Sequence, residues 1–131
     1  MFLCEDTITV FNPVLDEDTG IDIWKGTVVS GVSWYSSMQS SVDSTGLKAA
    51  NQFTIRIPEE SGTDAGYTEP KAFIGEGFTL TTGTIIVHGA AETDGMTPAK
   101  LKEQYAEVVT VLGVTDNRRA PYAKHWKVTG A

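Results

Sequence analysis

The sequence has one cysteine, Cys4, in 131 residues, so no internal disulfide framework can hold it. A chain of this length buries about two-thirds of its unfolded surface and folds as one domain without such staples. Cys4 stands beside Glu5 and Asp6, whose charges disfavour a thiolate, and it reads as an ordinary small apolar residue. No apolar run approaches the roughly 20 residues of a membrane-spanning helix, so no membrane partner is expected. The opening MFLCEDTITVF has no basic segment before its apolar residues and does not read as a secretory signal. The two histidines, His88 and His125, lie far apart with no second cysteine to join them. A zinc site wants three or four such ligands, and neither a metal nor another cofactor is expected. A nucleophile elbow and a phosphate-binding glycine loop are also missing.

Positive charge is scarce where most of the chain lies. Residues 1–94 hold 14 acids and 4 bases, a balance of −10; residues 95–131 hold 3 acids and 6 bases, a balance of +3. Phosphate-driven binding needs clustered lysine and arginine, so specific nucleic-acid recognition is not expected. The uneven charge suits like chains meeting head to tail, because opposite fields steer association.

What is present is period-two alternation, the mark of strands with one buried face. It predicts a strand over residues 7–11, stopped by Asn12-Pro13, and a turn over 16–20. A long strand follows, with a bend or bulge at Gly26 or Gly31. NQFTIRIP carries Phe53, Ile55 and Ile57 on one face. FTLTTGTIIVHG reads as strand, turn and strand, and EVVTVLGVTDN as another. The one expected helix spans about residues 97–106, with Thr97 as N-cap and Pro98 in the first helical position. The fold class is therefore mainly β, a single barrel or sandwich of about seven strands with one short helix. Two long loops, about 36–50 and 59–77, have a composition that permits ordering by a partner.

The triplet Asp18-Thr19-Gly20 matches the catalytic motif of homodimeric aspartic proteases. That chemistry needs two aspartates sharing a proton in a dry site. Here Asp16, Glu17 and Asp22 crowd the triplet, which belongs in water as a turn. A calcium loop fails on spacing, since Gly20 is fifth and Thr27 twelfth from Asp16 where the EF-hand wants glycine sixth and glutamate twelfth. In RRAPYAKHWKVTG, strand alternation puts Trp126 and Val128 inward, joining Phe53, Ile55 and Ile57 as core. It puts His125 and Lys127 outward. His125 has no neighbouring carboxylate in sequence to orient it as a base, so no catalytic residue is expected. Arg118, Arg119 and Lys127 are expected to be free for an acidic neighbour. Glu59, Glu60, Asp64, Tyr67, Glu69 and Lys71 are the expected contacts in the second loop.

Four stretches carry a resemblance: GVSWY (31–35), FTIRIP (53–58), GTIIVHG (83–89) and VLGVTDNRRAPYAKHWKVTG (111–130). In this order they resemble a family of small proteins encoded among the head and tail morphogenesis genes of tailed phages and prophages of Gram-positive bacteria. Thr84 stands where that family usually has an acidic residue. The resemblance spans about residues 8–130 and implies a non-enzymatic virion subunit assembled in the host cytoplasm. Within it, a head-completion or stopper protein of the neck is expected. Such a protein forms an oligomeric ring between the portal-side adaptor and the tail proteins, through which DNA passes without specific binding. The alternatives are a tail terminator or minor capsid component. From another class comes a small ligand-binding β module using Trp24, Trp34 or Tyr67.

Overall fold

A computed structural model describes residues 5–43, 46–73, 77–93, 96–119, 121–122 and 124–131, with the backbone alone for 36–51. Cys4, Ala120 and Ala123 lie outside the described residues. Six antiparallel strands carry the fold: β1 (Asp6–Leu15), β2 (Asp22–Asp43), β3 (Gly46–Pro58), β4 (Ile85–His88), β5 (Val108–Asp116) and β6 (His125–Gly130). They close into a barrel-like ring in the order β1-β2-β3-β6-β5-β4. Two helices, α1 (Glu59–Ala65) and α2 (Pro98–Gln104), and a 3₁₀ turn at Pro70–Ala72 lie between strands.

Alternation builds two apolar layers. Ile8, Val10, Val29, Ile55, Ile86, Val111 and Val128 fill the barrel together with Trp126 and Phe78. On the outer face Phe11, Ile85 and Val87 pack with Met96 and with Leu101 of α2. β4 is thus covered on both sides, which explains why its residues read as an unbroken apolar run. Thr97 caps α2, its side-chain oxygen accepting from the Lys100 N–H at 3.3 Å, as the sequence predicts.

Gly31 is where β2 bulges. The register jumps from Thr7 opposite Ser30 to Asp6 opposite Val32, leaving Gly31 as the extra residue at φ +77°. That angle suits glycine and little else.

The structure corrects four of the expected boundaries. The first strand does not stop at Asn12-Pro13 but runs to Leu15, with Pro13 opposite Trp24. β4 accompanies β1 only from Ile8 to Phe11, so a proline at 13 removes no donor from that ladder. The expected strand over FTL is reduced to a single bridge of Phe78 with Tyr67 and pairs with no strand among the described residues. Asn12 takes the partner's place: its side-chain N–H donates to the Thr79 carbonyl at 2.9 Å, and its Oδ1 accepts from the Thr79 N–H at 3.1 Å. One side chain thus does the work of a ladder rung, and among the described residues six strands stand where about seven were expected.

The expected loop over 59–77 contains α1. Glu59 and Glu60 in its first turn favour the positive helix end, and Gly66 closes it in the left-handed conformation. Seven residues are too few to show a helical period. A Cβ at Gly62 would collide with the Trp126 indole, so this helix lies directly on the buried tryptophan. The expected loop over 36–50 is a continuation of β2 and β3. The serine-rich run SSMQSSVD carries only Met38 and Val42 as large apolar residues, four apart, so it has no period-two alternation to reveal a strand.

Candidate functional site

Each end of the barrel carries a tryptophan packed against a nitrogen-bearing side chain, His88 or Arg118, that two carboxylates hold. At the end where β1 begins and β4 finishes, the Trp34 indole stacks on the His88 imidazole, 4.4 Å between centroids and 4° from parallel. Phe53 tilts against Trp34 at 5.5 Å; it is half-buried and belongs to this cap, not to the interior where it was expected. His88 Nδ1 meets Glu107 Oε2 at 2.7 Å and Nε2 meets Asp6 Oδ1 at 3.0 Å. The other oxygen of Asp6 accepts from the backbone N–H of Trp34 at 3.2 Å.

Two acceptors, one on each ring nitrogen, suit the imidazolium. Burial of the ring opposes its charge, but the hydrogen bonds to Asp6 and Glu107 and their negative charges outweigh it, and the pKa of His88 is raised. The carboxylates sit on opposite ring nitrogens and so cannot share one ion with the imidazole. No group of three or more His, Cys, Asp or Glu among the described residues is placed to hold a metal. Because the folded pKa lies above the ordinary value of about 6.5, the stabilisation is fully present below that pH and fades as pH rises through the folded value. The melting temperature of the native chain is therefore expected to fall on going from about pH 6 to pH 8.5 relative to His88→Gln, the window set by the ordinary imidazole value. A difference between the two proteins that is flat or grows with pH contradicts this arrangement.

At the opposite end Tyr67 stands edge-on to Trp126, 4.3 Å between centroids. The Arg118 guanidinium lies 4.8 Å over the Trp126 ring and 5.5 Å from that of Tyr67. Arg118 Nη2 donates to Glu69 at 2.7 Å and to Asp116 at 2.6 Å, while Nε donates to Asp116 Oδ1 at 2.9 Å. Hydrogen bonding to Arg118 holds the Asp116 carboxyl below its usual range, and the same bonds raise the Arg118 pKa. Exposed ion pairs contribute little singly, but this guanidinium combines a bidentate carboxylate with two aromatic faces.

This corrects the expectation for Arg118, which serves its own chain. It brings the expected contacts Tyr67 and Glu69 into one cluster that pins the 59–77 segment across the barrel end. Glu60, Asp64, Lys71 and Arg119 are exposed outside it. The backbone N–H of Glu59 donates to the Lys124 carbonyl at 2.9 Å. Lys127 is half-buried opposite Arg56, and His125 Nε2 lies 3.3 Å from Asn117 Nδ2. The Asp18-Thr19-Gly20 triplet is an exposed turn closed by Asp16, which accepts from the Asp18 N–H, the Thr19 hydroxyl and the Gly20 N–H. Of the other aromatic residues considered for ligand binding, Trp24 packs on the outer apolar layer.

Beyond the His88 cap, β2 and β3 leave the barrel together. Seven residue pairs, from Ser37 opposite Gln52 to Asp43 opposite Gly46, continue the ladder. The β1 ladder on β2 has ended at Val32 and the β6 ladder on β3 reaches only to Phe53. Among the described residues these pairs have each other alone, in a ribbon about 23 Å long at ~3.3 Å per residue. Two-stranded ribbons are marginal by themselves in water, and open edges invite another chain.

Together these features define a small closed antiparallel β domain with capped ends, an outer helix and a projecting ribbon. The chain belongs to the family of unknown function DUF6751, which it matches over residues 3–131. Neither a curated protein nor a solved structure matches it.

Proposed function

We propose that this protein is a non-enzymatic structural subunit of a tailed-phage virion, a head-completion or stopper protein of the head–tail connector. On this reading it works by contact, joining copies of itself into an oligomeric ring and meeting the portal-side adaptor and tail proteins. The observation that carries the reading is the ribbon. Seven backbone pairs that run on past the barrel with no third strand beside them among the described residues make sense when another chain receives them. The sequence resemblance points to the same class, and the acid excess over residues 1–94 suits a wall past which DNA slides without adhering.

The test is to replace residues 37–52 by Asn-Gly, joining Ser36 to its partner Phe53 through a two-residue turn of the type that hairpins prefer. The shortened chain is expected to keep a folded β-type circular dichroism spectrum, reduced by the deleted strand residues, and a melting temperature close to the parent's. It is expected to lose entry into virions, assayed by mass spectrometry of purified particles. Normal incorporation of the shortened chain defeats the reading. Overlong tails in its presence would place the chain at the tail terminus.

A further inference from the structure

The barrel is closed by its shortest strand. β4 pairs with β1 from Ile8 to Phe11 and with β5 from Val108 to Thr110. β1 runs on to Leu15 and β5 to Asp116 without β4 between them, which leaves a notch in the pairing. The 78–84 segment fills part of it: Asn12 holds Thr79, the Gly83 N–H donates to the Val111 carbonyl at 3.0 Å, and the Val111 N–H donates to the Thr84 carbonyl at 2.8 Å. After Val111 no strand among the described residues pairs with β5 on that side. Leu112 follows as the extra residue of a bulge and is 63% exposed.

The two edges of the notch differ. That of β1 contains Pro13, which offers no N–H, and leads into the acidic turn of Asp16, Glu17, Asp18 and Asp22. Residues 113–116 of β5 contain no proline and lead to Arg119 and Lys124, both exposed. At the other end of the barrel the ribbon's root is acidic, with Glu5 exposed and Glu107 beside His88.

We infer that the ribbon of one copy adds edge-on to residues 113–116 of β5 in a second copy, its acidic root facing that copy's Arg119 and Lys124. This rests on the assembly reading and names its partner and its surface. Ribbon and edge lie at opposite ends of one barrel, and the ribbon continues β2 and β3 away from the edge, so one chain cannot satisfy both. The contact is then heterologous and repeats from copy to copy, closing as a ring where the rotation permits. Main-chain pairing supplies the attraction. The unequal charges choose the β5 side over the β1 side.

Disulfide trapping in the full chain carrying Cys4→Ser tests this. One preparation carries Ser40→Cys in the ribbon and the other Leu112→Cys. Mixed under mild oxidation, they are expected to give a ribbon-to-edge disulfide dimer in excess of either homodimer. Adding Arg119→Glu to the Leu112→Cys chain is expected to lower its yield several-fold. A Ser40→Cys homodimer that outruns the mixed species puts ribbon against ribbon and overturns this contact, leaving the assembly reading intact. No disulfide of any kind at the highest workable concentration overturns a second copy as occupant. If the ribbon-shortened chain also functions normally, the assembly reading falls with it.

Discussion

Replacing Trp126 with alanine lowers the stability of the fold by about 3–5 kcal/mol, read as a shift in denaturant midpoint with unchanged slope. The indole is 1% exposed and holds three things together. It fills the barrel beside Val128 and Ile57, it is the surface on which α1 lies through Gly62, and it is the face under the Arg118 guanidinium. Removing it leaves a cavity that α1 is hindered from filling, because its start is tied to the Lys124 carbonyl and the Gly66 carbonyl at its end accepts from the Phe78 N–H at 3.2 Å. The adjacent His125→Gln change is expected to cost less than about 1 kcal/mol, as replacements outside the core usually do. A sensitive His125 beside a tolerant Trp126 would invert the assignment of faces in β6.

Asn12→Asp destabilises the chain by several kcal/mol at neutral pH, although it changes one atom. Asn12 is 1% exposed, and its amide both donates to and accepts from the Thr79 backbone. An ionised carboxylate accepts from the Thr79 N–H but leaves the Thr79 carbonyl without its donor, which costs about 1–3 kcal/mol for the unmet group. It also buries a charge facing a carbonyl oxygen. Burial raises the pKa of this aspartate above its unfolded value. Its stability is therefore greatest below the unfolded value of about 3.9 and is lost as pH rises through the folded one. The variant is expected to approach the native protein in stability near pH 4, where the acid form donates, the pH being set by the ordinary aspartate value. An equal penalty at both pH values means that Asn12 does not act through donation to Thr79.

Those two residues show how far the sequence can be read. Trp126 and Val128 are legible because β6 alternates cleanly over six residues and one face is buried. Ile55 and Ile57 follow by the same rule, and Thr97-Pro98 announces α2. Asn12 is not legible as a clamp, since a polar residue before proline has the signature of a strand's end and its partner is 67 residues away. The His88 cap is hidden for the same reason: Asp6 lies 82 residues from His88 and Glu107 lies 19, and only closure of the barrel joins them. Arg118 reads as a free cation because Glu69 and Tyr67, which fix it together with the nearby Asp116 and Trp126, come from about 50 residues away in the chain. The ribbon escapes notice because SSMQSSVD has no alternation of apolar and polar residues by which a strand is read.

Electron microscopy of particles from a phage supplied only with the ribbon-shortened chain tests the central claim most directly. DNA-filled or leaking heads separated from finished tails are expected, with the full-length chain restoring joined particles. Joined, infective particles built with the shortened chain would contradict it.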